Sequence, residues 1–163
     1  MTLRNLSDRD LEFEDFPEVS EAASTAVVNL DARRRKPTWE KEVEAALRRF
    51  LELPEGWDSY GGKPLRHETG MFALQVLSGV MSESMPSPFV VPISTGGVQF
   101  EWHQNNLDIE LYIAAPYDSE LSVHDLVSGA REVIPLKADF APLNQYVQRL
   151  IDFNRHLPRA HAG

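Results

Sequence analysis

The chain has 163 residues, 42% of them apolar, with three Trp, eight Phe and four Tyr, enough to build one core of ordinary size. A formal charge of -9 argues against a nucleic-acid surface, which needs clustered Lys and Arg, and points instead to a basic partner or to plain solubility. The absence of cysteine excludes disulfides, thiolate zinc sites, iron-sulfur clusters and cysteine nucleophiles.

The N-terminus, MTLRNLSDRD, has no apolar leader, and nowhere do about 18 apolar residues run together, so a cytoplasmic protein without a membrane span is expected. Residues 1–36 read as a charge-split arm. Seven acids lie between Asp8 and Glu21, whereas Arg33, Arg34, Arg35 and Lys36 form a basic run before Pro37. Leu11, Phe13 and Phe16 punctuate the acids, as in a short edge strand or a docking peptide, and the spacing of Val19, Ala23, Ala26, Val27 and Leu30 suggests a weak helix from about Ser20. Such an arm is expected to be mobile or docked on a partner, with residues 37–157 forming one domain and 158–163 a tail without periodicity.

Thr38 is a candidate N-cap for a helix whose apolar positions are Trp39, Val43, Ala46, Leu47, Phe50 and Leu51, and which should stop at Leu53 before Pro54. A second helix follows Pro64, marked by Met71, Leu74, Leu77, Val80 and Met81, and ends near Ser84. Three runs between Pro86 and Ile113 then alternate apolar and polar residues. Pairing Ile93 with Val98, Phe89 with Trp102, Trp102 with Leu107 and Val98 with Leu111 puts the large apolar side chains on one face. Phe89, Val91, Val98, Phe100, Trp102, Leu107, Ile109 and Leu111 are the expected core. The opposite face carries Gln99, Glu101, Asp108, Glu110 and Tyr112, with Glu101 against Asp108 as a like-charge pair. Two further strands flank Ser128 and Gly129, and Pro142 opens a last helix with Leu143, Tyr146, Val147, Leu150 and Ile151 on its core side. The expected fold is α+β: an antiparallel meander of about five strands, its first strand at an edge because of Pro88 and Pro92, packed against two to four helices.

Between the first two helices lies Leu53-Pro54-Glu55-Gly56-Trp57-Asp58-Ser59-Tyr60-Gly61-Gly62, the least generic segment of the chain. Its glycines permit left-handed backbone, Asp58 can cap a turn, and Trp57 and Tyr60 combine apolar bodies with polar handles. The two aromatics fit either a plug between helices and sheet or a ligand or partner site. Trp57-Asp58-Ser59-Tyr60-Gly61, Gly96-Gly97 leading into Glu101-Trp102, and Leu107-Asp108-Ile109-Glu110 together resemble a widespread group of small, uncharacterised bacterial proteins with W-D-x-Y-G, G-G-x-x-x-E-W and L-x-I-E elements. The resemblance covers about residues 47–113, implies a shared α+β fold, and brings no activity, cofactor or catalytic residue with it.

Catalytic signatures are lacking. Ser94-Thr95-Gly96-Gly97 has no following Lys and opens a strand, unlike a phosphate-binding loop; no histidines stand in an H-E-x-x-H frame; and no G-x-S-x-G elbow occurs. Ser122, His124 and Asp125 are too close along one strand to converge as a triad. The stripe of Glu101, Asp108 and Glu110, with Asp58, is the remaining chemistry: a solvated face, a surface for a basic partner, or a Mg²⁺ or Ca²⁺ site. The composition favours a non-enzymatic, cofactor-free interaction module, antitoxin-like or immunity-type, that binds a basic protein through Trp57, Asp58, Tyr60, Glu101, Asp108, Glu110, Tyr112, Phe13 and Phe16. The alternative is a metal-dependent enzyme built on the carboxylates.

Overall fold

The strands pair in the order in which they occur. In the computed structural model, which describes residues 36–155 and side chains as far as Ile151, β1 (Phe89–Ile93), β2 (Gly97–Gln104), β3 (Leu107–Ala115), β4 (Asp118–Asp125) and β5 (Arg131–Pro135) form one antiparallel meander. Three helices, α1 (Thr38–Leu51), α2 (His67–Val80) and α3 (Ala141–Arg155), complete an α+β fold. The expectations for Phe13, Phe16, the early weak helix, the arginine run and the tail lie outside the described residues. Among the described residues no helix is long and apolar enough to cross a membrane.

One face of the sheet and the three helices share a single core. Val98, Phe100 and Trp102 of β2, Leu107, Ile109, Leu111 and Ile113 of β3 and Leu121 and Val123 of β4 are buried with Trp39, Val43 and Leu47 of α1, Ala73 and Leu77 of α2 and Leu143, Val147 and Leu150 of α3. The strict alternation along β3, buried and half-buried in turn, follows from a strand with helices on one side only. Two indoles fasten the entry to the sheet: Trp39 Nε1 donates to Ser82 O at 3.0 Å and Trp102 Nε1 to Pro86 O at 3.1 Å. At the far side Asn105 Nδ2 donates to Leu150 O at 2.8 Å, and Tyr146 donates to Glu132 at 2.5 Å, tying α3 to the sheet.

The register differs from the expected one in two places. Residues 94–96 form a three-residue turn in which Gly96 takes φ 86° and donates its N–H to Ile93 O at 2.9 Å. Ile93 therefore pairs with Gly97 rather than Val98, a slip of one residue that turns Phe89 and Val91 to solvent, 71% and 39% exposed, and points Val90 and Pro92 inward. Between β2 and β3 the loop has two residues, Asn105 and Asn106, with φ 57° and 59° as a type I′ turn requires. Trp102 pairs with Ile109, Phe100 with Leu111 and Val98 with Ile113; a slip of two leaves every side chain on its expected face. Glu101 consequently opposes Glu110, and His103 opposes Asp108.

Smaller departures have equally local causes. Pro37, not Thr38, is the N-cap of α1, without a side-chain bond. In α2 the small residues Thr69, Gly70 and Ala73 join Val76 and Leu77 on the buried side while Met71 is 57% exposed, because the helix sits close to Leu65, 3.3 Å from where a Cβ on Gly70 would lie. That helix ends at Val80 and leaves Met81 extended, short of Ser84. Ser128 and Gly129 do not close a two-residue hairpin: the last pair is His124 with Arg131, and Asp125 caps the longer turn by accepting from Val127 N at 3.0 Å and Ser128 N at 3.1 Å. Pro142 lies in the first turn of α3, where Asp139 accepts from Ala141 N at 3.0 Å.

The register makes a prediction. Phe100→Ala should cost about 3–5 kcal/mol, because the ring is fully buried between β1 and β3, whereas Phe89→Ala should stay within about 0.5 kcal/mol. Denaturant unfolding of both variants checks this, and equal losses at the two positions would contradict the slip in β1.

Candidate functional site

Among the described residues no helix covers the second face of the sheet. Directly paired residues of an antiparallel ladder share a face, so the pairs build continuous rows across four or five strands. One row runs Phe89, Glu101, Glu110, Ser122, Val133; the next, towards the β2–β3 turn, runs His103, Asp108, His124, Arg131; on the other side lie Val91, Gln99, Tyr112, Glu120 and Pro135. Exposed apolar groups, Phe89, Val91 and Val133, stand at the edges, and four carboxylates, Glu101, Asp108, Glu110 and Glu120, occupy the middle.

His103 organises this centre. Its Nε2 lies 3.0 Å from Glu101 Oε2 and its Nδ1 3.0 Å from Asp108 Oδ1, so each ring nitrogen meets a carboxylate oxygen. Gln99 Nε2 donates to the remaining Glu101 oxygen at 2.9 Å. His124 Nδ1 stands 3.8 Å from Asp108 Oδ2, and the Phe89 ring lies 6.5 Å from the His103 ring, centroid to centroid. A neutral imidazole can donate from one nitrogen only, whereas the imidazolium donates from both. The bond to Glu101 first, and that to Asp108 second, therefore raise His103 above the ordinary imidazole value despite slight burial. The expected like-charge pair of Glu101 against Asp108 does not form: the His103 ring of β2 lies between the two carboxylates, and Glu101 opposes Glu110 instead.

The Trp57 loop is a separate structure. Trp57 is half-buried outside the core cluster and its Nε1 donates to Lys63 O at 3.1 Å. Asp58 Oδ1 accepts from Tyr60 N at 2.9 Å and Gly62 N at 2.7 Å, bonds that hold its carboxyl below the usual carboxylate range. Gly62 has no room for a side chain: a Cβ there would come within 2.6 Å of Asp58 Cγ. Tyr60 is 94% exposed and plugs nothing. The loop is fastened through Lys63, whose N–H donates to Ser94 O at 2.8 Å, beside the β1–β2 turn, while His103 and Asp108 lie next to the opposite, β2–β3 turn. Trp57, Asp58 and Tyr60 thus do not converge with Glu101 and Asp108. Glu110 and Tyr112 do share the open face with them.

Two other features bear on chemistry. A cavity of about 470 Å³ opens between α2 and the start of α3, walled by Phe72, Tyr117 and Phe140, with the Phe72 ring 5.1 Å from Tyr117 and 6.0 Å from Phe140. Among the described residues no group of three or more carboxylates and imidazoles is arranged to hold a metal ion. Comparison with family models, curated proteins and solved structures finds no match to this chain.

Sequence reasoning missed His103, though the alternation that placed Gln99 and Glu101 on the open face also placed residue 103 there. His124 was missed for a different reason, since β4 lay beyond the hairpins whose pairing was assigned.

Two outcomes follow from this geometry. Asp58→Ala should lower stability by removing the acceptor of two loop N–H groups, Gly62→Ala should lower it by displacing the same carboxylate, and the double variant should fall short of the sum in denaturant unfolding. His103 gains its partners on folding, so its contribution is fully present below its unfolded value of about 6.5 and is lost as the pH rises through the raised folded value. The stability gap between the wild type and His103→Gln should be wider near about pH 5.5 than near about pH 9, a difference measured by unfolding at the two conditions.

Proposed function

We propose that this chain is a non-enzymatic protein-interaction module that receives a basic partner on the open face of its sheet, in the manner of an antitoxin-like or immunity-type binder covering a cationic active site. The observation that carries the reading is the row from Phe89 through Glu101, Glu110 and Ser122 to Val133, in which carboxylates are flanked by apolar groups left in solvent. Apolar anchors that exclude water around complementary charges are what a specific interface needs, and rim charges set its association rate. The net charge of -9 supports attraction of a basic protein over distance. The buried core lies on the other face, so these side chains can serve contact without being needed for it.

The Trp57 loop serves this reading as a fixed corner at the far end of the sheet, its indole committed to Lys63 O and only Tyr60 projecting. Phe13 and Phe16 remain candidate anchors of the arm on the same partner.

A photo-crosslinking residue placed at Ser122, the centre of the open face, should trap a partner in cells, whereas one at exposed Glu42 on α1 should not. With that partner purified, Phe89→Ala should speed dissociation and Glu110→Arg should slow association at least several-fold, with unchanged unfolding midpoints and a wild-type association rate that falls with added salt. Unaltered binding by both variants would overturn the proposal.

A further inference from the structure

We propose that docking on the open face is controlled by a proton on His103: the imidazolium occupies the carboxylates of Glu101 and Asp108 that a partner's arginine or lysine side chains would use, so a basic partner docks with release of that proton and binds more tightly at alkaline than at acidic pH. This rests on the preceding reading of the face as the docking surface, and it adds the competitor and the condition that removes it.

Both ring nitrogens of His103 sit 3.0 Å from carboxylate oxygens on neighbouring pairs of the ladder, an arrangement that satisfies the imidazolium and is wrong for the neutral ring. Loss of the proton turns one nitrogen into an acceptor facing an acceptor, which frees one carboxylate and leaves the centre of the face without its internal cation. A guanidinium or ammonium from a partner can then supply the donors that His103 withdraws, and a fork of N–H groups matches a carboxylate in bidentate fashion. The same partner disfavours the imidazolium by repulsion, so proton and partner compete.

Among the described residues, the surroundings of His103 leave it as the principal group in this exchange. On β2 it faces Glu101; on β3, Asp108 and Glu110, with Tyr112 further along; on β4, His124, which is 3.8 Å from the second oxygen of Asp108, and Glu120 further along; on β5, Arg131 opposite His124. From β1 it meets only the Phe89 ring, since that strand has no titratable residue. The helices pack on the other face. His124 is beyond hydrogen-bond distance from Asp108, so it adds to the local field without holding either carboxylate.

Calorimetric titration with nona-arginine peptide tests the inference, using the full chain at about pH 5.5 and about pH 8.5 in buffers of different ionisation heat, which count the protons exchanged. The wild type should bind more tightly at the higher pH, by up to about tenfold per pH unit within the titration window, with net proton release between the two buffers. His103→Gln should show a markedly weaker pH dependence and lose the proton release, and His124→Gln should retain both. Affinity that is equal at the two pH values, or proton release that survives in His103→Gln, overturns the switch; if Glu110→Arg still weakens binding in that case, the docking reading stands without it. Equal binding of the peptide by the wild type and Glu110→Arg overturns the docking reading itself. A second readout needs no ligand: the His103 ring protons should titrate in NMR above the ordinary value of about 6.5, and titration at or below it would overturn the inference whether or not any variant folds.

Discussion

The left-handed turn of Asn105 and Asn106 fixes what the two faces of this protein can be. With φ near 60° at both positions, the turn closes β2 onto β3 with two residues between the last paired positions, and everything registered outward from it follows. Asn tolerates this backbone because its short amide meets little steric penalty there, and the Asn105 side chain is further held by Leu150 O. From that anchor come the inward ladder of Val98, Phe100, Trp102, Leu107, Ile109, Leu111 and Ile113 and the outward juxtaposition of His103 with Asp108. A loop longer by one residue would exchange core for surface throughout β2 or β3.

That parity explains what can be read from the residues alone and what cannot. Alternation in β2 and β3 is strong enough that a two-residue error in register leaves the buried set intact, which is why Phe100 and Ile109 are recognisable as core. In β1 the apolar run FVVPI has no alternation to resist a slip of one, and only the φ of Gly96 selects the three-residue turn that turns Phe89 outward. Large side chains likewise mislead in α2, where close approach to Leu65 favours Gly70 and Ala73 inside and Met71 outside. The carboxylates of the site are visible in the sequence. Their counter-ion is not singled out there, because a histidine on a solvated strand has meaning only when its cross-strand neighbour is known.

The three indoles show the same dependence of meaning on neighbours. Each donates its N–H to a backbone carbonyl in a loop, Trp39 to Ser82, Trp102 to Pro86 and Trp57 to Lys63. Trp39 and Trp102 do so from within the core; Trp57 does so half in solvent, in a loop whose order rests mainly on Asp58 and the bare Cα of Gly62. The Trp57 indole thus shapes its own loop, whereas the Phe89 ring, 71% exposed, meets the His103 ring across the sheet.

The division of labour between the faces also sets how charge can be arranged. Carboxylates opposite one another on a ladder repel, as Glu101 and Glu110 do, and such a face is tolerable because water screens it and because the helices supply the stability from the other side. A fixed cation such as Arg at position 103 would quiet the repulsion permanently and fill the site permanently. Histidine relieves the same repulsion with a charge that can leave, since its protonation lies within reach of ordinary pH and within the influence of an incoming cation. Protonated, His103 offsets part of the charge of the carboxylates it touches, Glu101 and Asp108, and leaves that of Glu110 and Glu120 in solvent. Covering such a face with apolar surface alone would strand the His103 cluster without water, at a desolvation cost that a partner offering cations avoids.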